Sequence, residues 1–235
     1  IPASVLKKMI KSRSLISPRE DKLTIALKMP FILQKRWTKF STRVTIPQRE
    51  TLWKNFVTLY SEENRHYHNL VHIEDCLTKL DEWPSQPSNT IRDAIELAIW
   101  FHDIVYDTQR ADNEESSAAL ANHYLRGHPL ATDCHALILA TRHKQTEGMH
   151  AEEIMCDIDL SILGSEPKKY HDYAEKIRNE YSWVEITEYS LARARVLTNF
   201  LNRDNLFQTT YAIRKWELKA RINLKKERED LLNMI

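Results

Sequence analysis

The stretch from Ile91 to Asp107, IRDAIELAIWFHDIVYD, constrains this chain more than any other. Apolar side chains recur along its first half at i, i+4 and i+7 spacing, which predicts a helix with one face toward a core. His102 lies four residues beyond Ala98 and continues that face, and Asp103 follows it directly. A buried carboxylate costs free energy unless it is paired or holds a metal ion. The pattern therefore predicts an interior polar centre at the end of this helix.

Composition favours an all-α fold. The chain has 235 residues, of which 42% are hydrophobic, enough to build one core. It has only 3 glycines against 29% charged residues, which is typical of long helices rather than of a turn-rich β fold. No internal repeat or alternating strand pattern is evident, and the last predicted helix runs from about Asn205 to the end. We expect a single all-α domain with a long C-terminal helix.

Charge and cysteine content limit the classes of partner. The formal net charge of +1 gives no general electrostatic reason to expect nucleic acid or a membrane surface. Three cysteines without a CxxC pair fit a reducing compartment better than a disulfide framework. No apolar run has the length of a membrane span, and no signal peptide is evident. The expected location is cytoplasmic.

Residues 1–44 differ from the rest of the chain. Eleven lysines and arginines in this segment face only Glu20 and Asp21 as acids. Such a basic arm could contact an anionic partner. A loosely ordered leader, or sequence foreign to the domain, is the favoured alternative, and the start at Ile1 would fit a trimmed product. We therefore expect a basic N-terminal segment over 1–44 and the folded domain over 45–235.

Four side chains on three predicted helices form a candidate metal site. His72 lies beside a helical stripe of leucine and isoleucine, and Asp159 lies on a mainly apolar helix face. Together with His102 and Asp103 they offer two imidazoles and two carboxylates. That donor set suits a borderline divalent ion with positions left open for water. A metal ion of this kind can acidify water and polarise a phosphoryl oxygen.

Five segments of the chain carry a family resemblance. They are RHYHNLVHI (65–73), WFHDIVYD (100–107), DNEESSA (112–118), DIDLSILG (157–164) and ELKARINL (217–224). In this order they resemble the HD superfamily of metal-dependent phosphohydrolases, and most closely one bacterial group of predicted HD phosphohydrolases. The resemblance covers roughly 45–235 and implies an HD-domain helical bundle.

The resemblance implies a ligand set and a reaction. His72, His102, Asp103 and Asp159 would hold the metal, with Asp157 as the rival for the last position. The ion would be Mn, Mg, Co, Ni, Zn or Fe. The reaction would be hydrolysis of a phosphate ester or anhydride of a small phosphorylated molecule, such as a nucleotide.

Several neighbouring residues are candidates for catalysis or substrate contact. Related hydrolases carry an acidic pair shortly after the HD dyad, whereas this chain has Tyr106 followed by Asp107. Asp107 would then orient or deprotonate the attacking water, and His143 would help to neutralise the phosphate. Anion contacts are expected from side chains that neighbour the histidines in sequence, namely Arg65, Arg142 and Lys144.

Other residues leave alternatives open. His68 and His143 could hold a second metal ion or bind phosphate as imidazolium. Asp157 and Glu114 are further candidates for a second metal or for supporting contacts. Two rival functions remain. One is a di-iron oxygenase, which requires His68 or His143 as ligands. The other is a non-catalytic sensor of metal or nucleotide, with which the tyrosine at position 106 is consistent.

Overall fold

The computed structural model describes residues 22–84, 88–143 and 150–235, with side chains described from residue 31 onward. Throughout these ranges the regular secondary structure is helical and includes no strand, which confirms the predicted all-α class. The helices are α1 (Lys22–Arg43), α2 (Arg49–Leu59), α3 (Leu70–Asp81), α4 (Asn89–Phe101), α5 (Asn113–Tyr124), α6 (Ala131–Ala140), α7 (His150–Asp159), α8 (Pro167–Glu180), α9 (Ile186–Leu201) and α10 (Thr210–Leu232), with a 3₁₀ helix at Leu160–Gly164. No helix within these ranges is long and apolar enough to cross a membrane.

Helix α4 occupies the centre of the fold. Every residue from Asp93 to Phe101 is buried, and the helix packs against α3, α5, α6 and α7. Its first turn is capped by Ser88, whose side chain accepts a hydrogen bond from the backbone N–H of Ile91 at 3.4 Å. A helix buried on all sides needs an almost continuous apolar sequence, which the run from Ala94 to Phe101 supplies except at Glu96.

The central helix ends at Phe101, before the end of the stretch 91–107. Beyond it, tertiary contacts replace the helical hydrogen bonds. The guanidinium of Arg65 donates to the carbonyl oxygens of Asp103 and Ile104 at 2.5 and 3.0 Å. Arg65 thus satisfies two backbone acceptors in the segment that follows the helix.

The N-terminal segment contributes to the core, contrary to the predicted boundary at residue 44. In α1, Leu33, Trp37 and Phe40 are each at most 2% exposed. The Trp37 ring lies 5.0 Å from that of Phe56 and 5.4 Å from that of Trp100. The basic residues are used internally as well: Arg36 binds the carboxylates of two acids in the folded domain, Asp81 and Glu96. Residues 1–21 lie outside the described residues.

The C-terminal helix begins at Thr210, five residues later than predicted, because the preceding loop is held by carboxylates. Glu217 accepts hydrogen bonds from the backbone N–H groups of Leu206 and Phe207. Asp157 accepts from the next two, Gln208 and Thr209, each at 2.8 Å. These bonds fix a non-helical path, and the Thr209 side chain then caps α10.

Candidate metal centre

His72, His102, Asp103 and Asp159 converge at one point in the interior. The two histidine Nε2 atoms are 3.1 Å apart. His72 Nε2 lies 3.1 Å from Asp159 Oδ1 and 3.5 Å from Asp103 Oδ2. His102 Nε2 lies 3.0 Å from Asp103 Oδ2 and 3.5 Å from Asp159 Oδ1. The structure thus brings together all four side chains that the sequence nominates.

Helix ends position these four side chains. His72 lies in the first turn of α3, where the Asn69 side chain caps the helix by accepting from the N–H of Val71. His102 is the C-cap residue of α4, with Asp103 next along the chain. Asp159 is the last residue of α7. Side chains at helix ends can approach one point more closely than those on the flanks of packed helices, whose axes stay about 8–10 Å apart.

A backbone contact sets the orientation of the His102 ring. Its Nδ1 atom lies 3.0 Å from the carbonyl oxygen of Ile99, one turn earlier in α4. A carbonyl only accepts, so Nδ1 carries the proton and donates it to that oxygen. In the neutral ring Nε2 then has its lone pair toward the cluster. Metal-binding histidines are commonly held in this way.

Charge within the cluster shifts the pKa values in opposite directions. Burial alone lowers the pKa of His102, but the carboxylates of Asp103 and Asp159 outweigh it and hold this pKa well above its ordinary value. Burial alone raises the pKa of Asp159, but hydrogen bonds from His102 and His143 outweigh it and hold this pKa well below its usual range. A proton on the His102 imidazole therefore compensates the buried carboxylates, and a cation could replace that proton.

The donor geometry fits a divalent ion. Donors bound at about 2.0–2.2 Å from one ion lie roughly 3.0–3.5 Å from each other. The distance between the two histidine nitrogens and the distance from each histidine to each carboxylate fall in this range. Two neutral imidazoles and two carboxylates would balance the charge of a divalent cation. All four side chains are buried or nearly so, with exposures of 2, 1, 17 and 15% for His72, His102, Asp103 and Asp159.

Cys76 borders the cluster. Its sulfur lies 3.7 Å from both ring nitrogens of His72, so Cys76, His72 and Asp159 form a second group with metal-binding proximity. Burial, together with neighbouring acids, raises the pKa of this thiol well above its ordinary value. The Cys76 side chain is 1% exposed and belongs to the hydrophobic core, so it also packs beside the centre.

His143 binds the far side of Asp159. Its Nε2 atom lies 2.9 Å from Asp159 Oδ2, the oxygen that the cluster does not use. The residue has a φ of 53°, in the left-handed region that non-glycine residues rarely adopt. Its Nδ1 is buried and has no hydrogen-bond partner among the described residues. Backbone strain of this kind is characteristic of functional sites, where surrounding structure maintains it.

His68 is held by Glu180, an acid that the sequence analysis does not nominate. The Nδ1 atom of His68 lies 2.7 Å from Glu180 Oε2, and the Tyr106 hydroxyl donates to the same oxygen at 2.9 Å. The other oxygen accepts from the backbone N–H groups of Tyr67 and His68. Burial alone lowers the pKa of His68, but Asp103 and Glu180 outweigh it and raise this pKa. Tyr106 thus contacts a carboxylate supplied by α8.

A signal for Glu180 is present in the sequence. It follows Tyr173 and Ile177 at i+7 and i+3, on the apolar face of α8. An acid on an apolar helix face is the same pattern that nominates Asp159.

A cavity of about 360 Å³ adjoins the cluster. Among its seventeen described lining residues, four are charged or imidazole side chains, namely His68, His143, Asp159 and Arg193. The other thirteen are aromatic or aliphatic and include five tyrosines. Arg193 is paired with Glu227 at 2.8 Å, and both side chains are almost buried. A ligand in this cavity would meet the polar centre at one end and apolar surface elsewhere.

Arg65 and Asp107 are not brought to this cavity. The Arg65 guanidinium is 2% exposed and is engaged by Glu62 and by backbone carbonyls, including that of Asp103. Asp107 is exposed, and its carboxylate accepts from the backbone N–H of Gln109 in a local turn. The structure places both residues away from this cavity, with Arg65 supporting the chain after α4 and Asp107 shaping a surface turn. Their expected roles in phosphate binding and water activation stay predictions.

Three other candidates also lie apart from the cluster. Arg142 is paired with Glu115 on α5. Glu114 lies in the first turn of α5 and is not among the described residues that form the cluster or line its cavity. Asp157 is fully buried and holds the loop before α10, so Asp159 is the acid that faces the cluster. Lys144 lies outside the described residues.

No protein-family model, no curated protein and no solved structure matches this chain. The arrangement of its polar side chains is therefore the basis for proposing a function.

Proposed function

We propose that this chain is a metal-dependent phosphohydrolase that cleaves a phosphate ester or anhydride. The observation that carries the proposal is the convergence of two imidazole nitrogens, 3.1 Å apart, that each lie 3.0–3.5 Å from an oxygen of both Asp103 and Asp159, beside a cavity. The resemblance of five ordered segments to the HD phosphohydrolases points the same way. His72, His102, Asp103 and Asp159 hold a divalent ion in this proposal.

When bound, such an ion supplies a positive charge that polarises a phosphoryl oxygen and acidifies water. The chain supplies orientation. The hydrogen bond from His102 Nδ1 to Ile99 keeps its Nε2 directed at the centre. His143 fixes the Asp159 carboxylate through its second oxygen. Both contacts hold ligands in place without competing for the donor atoms that face the ion.

His68 is the residue placed to move a proton. Its Nδ1 is occupied by Glu180, so Nε2 is the nitrogen left for a substrate. The ring stacks on Tyr106 with a centroid distance of 4.1 Å and lines the cavity. An imidazolium held by a buried carboxylate can donate a proton to a leaving oxygen. In this proposal His68 is the general acid and Glu180 is its positioning residue.

The test is phosphate release by the purified protein, with elemental analysis of its metal content. Substrates would include phenyl phosphate and nucleotides, each with added Mn²⁺, Mg²⁺, Co²⁺ or Ni²⁺. We expect metal-dependent release that Asp103→Asn abolishes, because the change removes one anionic donor. His68→Gln should retain the metal and lower kcat, by roughly a hundredfold or more if it removes a general acid.

A matched control separates the centre from adventitious binding. Asp172 lies on an exposed face of α8 with His171 and Glu175, a trio that is also close enough to bind an ion. Asp172→Asn should leave phosphate release unchanged. Tightly bound iron without phosphate release would favour an oxygenase instead. Bound metal with no turnover on any substrate would favour a sensor.

A further inference from the structure

The cavity beside the metal centre has an unusual chemistry for a site that binds a phosphorylated molecule. Phosphate sites ordinarily carry several arginine or lysine side chains or free backbone N–H groups. Among the described residues that line this cavity, Arg193 is the single arginine or lysine. Its guanidinium is engaged by Glu227 at 2.8 Å and by the Tyr173 hydroxyl at 3.3 Å. The positive charge on this wall is thus already compensated.

The remaining walls are apolar. The lining includes Tyr173 and Ile177 of α8, its C-cap Tyr181, Leu197 and Phe200 of α9, and Ile162 and Leu163 of the 3₁₀ helix. Surfaces of this kind gain free energy by covering hydrocarbon and lose it by covering unpaired charge. A volume of about 360 Å³ is near the lower end of the range for ligand sites, roughly 300–1,000 Å³. A small hydrocarbon group therefore fits it better than a polyphosphate or a sugar.

We propose that the substrate is a phosphate monoester whose organic group is a small aryl or alkyl moiety, seated between α8 and α9 with the phosphate at the metal centre. This inference rests on the proposed function and assigns its substrate class. It orients the substrate, because His68, His143 and Asp159 all lie at the polar end of the cavity. Nucleoside triphosphates are disfavoured, since the described walls offer no uncompensated cation to their additional charges.

The experiment varies hydrocarbon length at constant leaving-group chemistry. The probes are phenyl phosphate and its 4-methyl, 4-ethyl, 4-propyl and 4-butyl derivatives, compared with ATP and AMP, using the full chain with excess Mn²⁺. We expect kcat/KM to rise about two- to fourfold with each added carbon until the cavity is filled. We expect both nucleotides to be poorer substrates than 4-butylphenyl phosphate.

Two matched variants test whether the rise of kcat/KM with hydrocarbon length originates in this cavity. Val196 lines the cavity and is 43% exposed, so Val196→Arg places a cation at its mouth with little cost to the fold. Leu191 lies on the same helix, is 40% exposed and does not line the cavity. Val196→Arg should abolish the rise with chain length and lower kcat/KM for 4-butylphenyl phosphate by about tenfold or more. Leu191→Arg should preserve both.

Binding of non-hydrolysable analogues makes the two proposals separable. Alkylphosphonates of increasing length would be titrated into the Mn²⁺-loaded protein by calorimetry. If the affinity for phosphonates rises with chain length and none of the phosphate esters is hydrolysed, the phosphohydrolase is refuted and the apolar ligand class is retained. Metal-dependent hydrolysis that favours ATP, or that ignores chain length, would refute the substrate class and leave the phosphohydrolase standing.

Discussion

Asp157 and Asp159 stand two residues apart near the end of α7, and their carboxylates have different partners. The oxygens of Asp157 accept from the backbone N–H groups of Gln208 and Thr209 and from the Thr209 hydroxyl. Those of Asp159 face two histidines of the cluster and His143. The first acid closes a loop, and the second completes the candidate metal centre.

This division predicts opposite outcomes for two identical substitutions. Asp157→Asn removes an acceptor oxygen from a buried network and should lower the free energy of unfolding by about 1–3 kcal/mol. The affinity of the Asp157→Asn variant for Co²⁺ should equal that of the parent. Asp159→Asn should weaken Co²⁺ binding by more than roughly a hundredfold, since loss of a ligand exceeds the usual effect of its supporting contacts.

Urea unfolding and a Co²⁺ titration followed by visible absorption measure the two quantities. Each variant serves as the control for the other. Loss of Co²⁺ binding in Asp157→Asn, with binding retained in Asp159→Asn, would reverse the assignment.

At the scale of elements, the 3₁₀ helix after Asp159 is pressed against α10. A Cβ atom on Gly164 would lie 2.8 Å from the carbonyl oxygen and 2.9 Å from the Cα of Trp216. Real Cβ atoms essentially never approach backbone so closely. Glycine therefore sets the distance between the turn that follows the candidate centre and the longest helix of the C-terminal part.

Gly164→Ala should lower the free energy of unfolding by about 1–3 kcal/mol, because overpacking forces the backbone of α10 to move. Gly127 provides the comparison, since it has a φ of +77° and an added Cβ would meet nothing within 4 Å. Asparagine tolerates that conformation, so Gly127→Asn should lower the free energy of unfolding by only roughly a few tenths of a kcal/mol. Denaturant unfolding of both variants measures the difference, and equal stability of Gly164→Ala and the parent would disprove the tight contact.

At the scale of the whole molecule, α1 belongs to the same core as the helices of the centre. Trp37 is 1% exposed and contacts Phe56 and Trp100, and its indole N–H donates to the carbonyl of Arg49 at 2.8 Å. Trp100 lies on α4, two residues before His102. The N-terminal helix and the helix that carries the candidate ligands therefore share one aromatic cluster.

Trp37→Ala should destabilise the protein by about 3–5 kcal/mol, the usual cost of emptying a large aromatic site. Lys39→Ala on the exposed face of the same helix should stay within about 0.5 kcal/mol of the parent. Urea unfolding followed by circular dichroism would measure both. A neutral result for Trp37→Ala would restore the boundary at residue 44.

Much of the fold and of the candidate centre was predictable because the information is local. Helical periodicity marks α3, α4 and α7, and polar residues on their apolar faces mark His72, His102 and Asp159. The errors arise where partners come from distant sequence. Arg65 donates to backbone carbonyls just beyond the central helix, so its guanidinium is engaged there and not at the cavity. No local sequence pattern predicts this contact between Arg65 and backbone carbonyls almost forty residues later.

Long-range ion pairs and hydrogen bonds also explain why composition alone gave a different prediction for α1. The positive charges of α1 suggest a separate basic arm, yet Arg36 and Arg43 find carboxylates at residues 81, 96 and 93. Glu180 reaches His68 across 112 residues of chain. Spatial pairing of this kind depends on the packing of the whole bundle, which a periodic pattern does not specify.

The span between Tyr67 and Glu180 has a consequence for biosynthesis. Their hydrogen bond joins positions 113 residues apart, and the chain emerges from the ribosome in order. A nascent chain that ends before residue 159 carries two histidines and one acid of the cluster, but neither its fourth side chain nor the carboxylate that holds His68. An ion that prefers the complete donor set stabilises only the state that possesses it. Metal capture would therefore favour chains that include residue 159 over those that end before it.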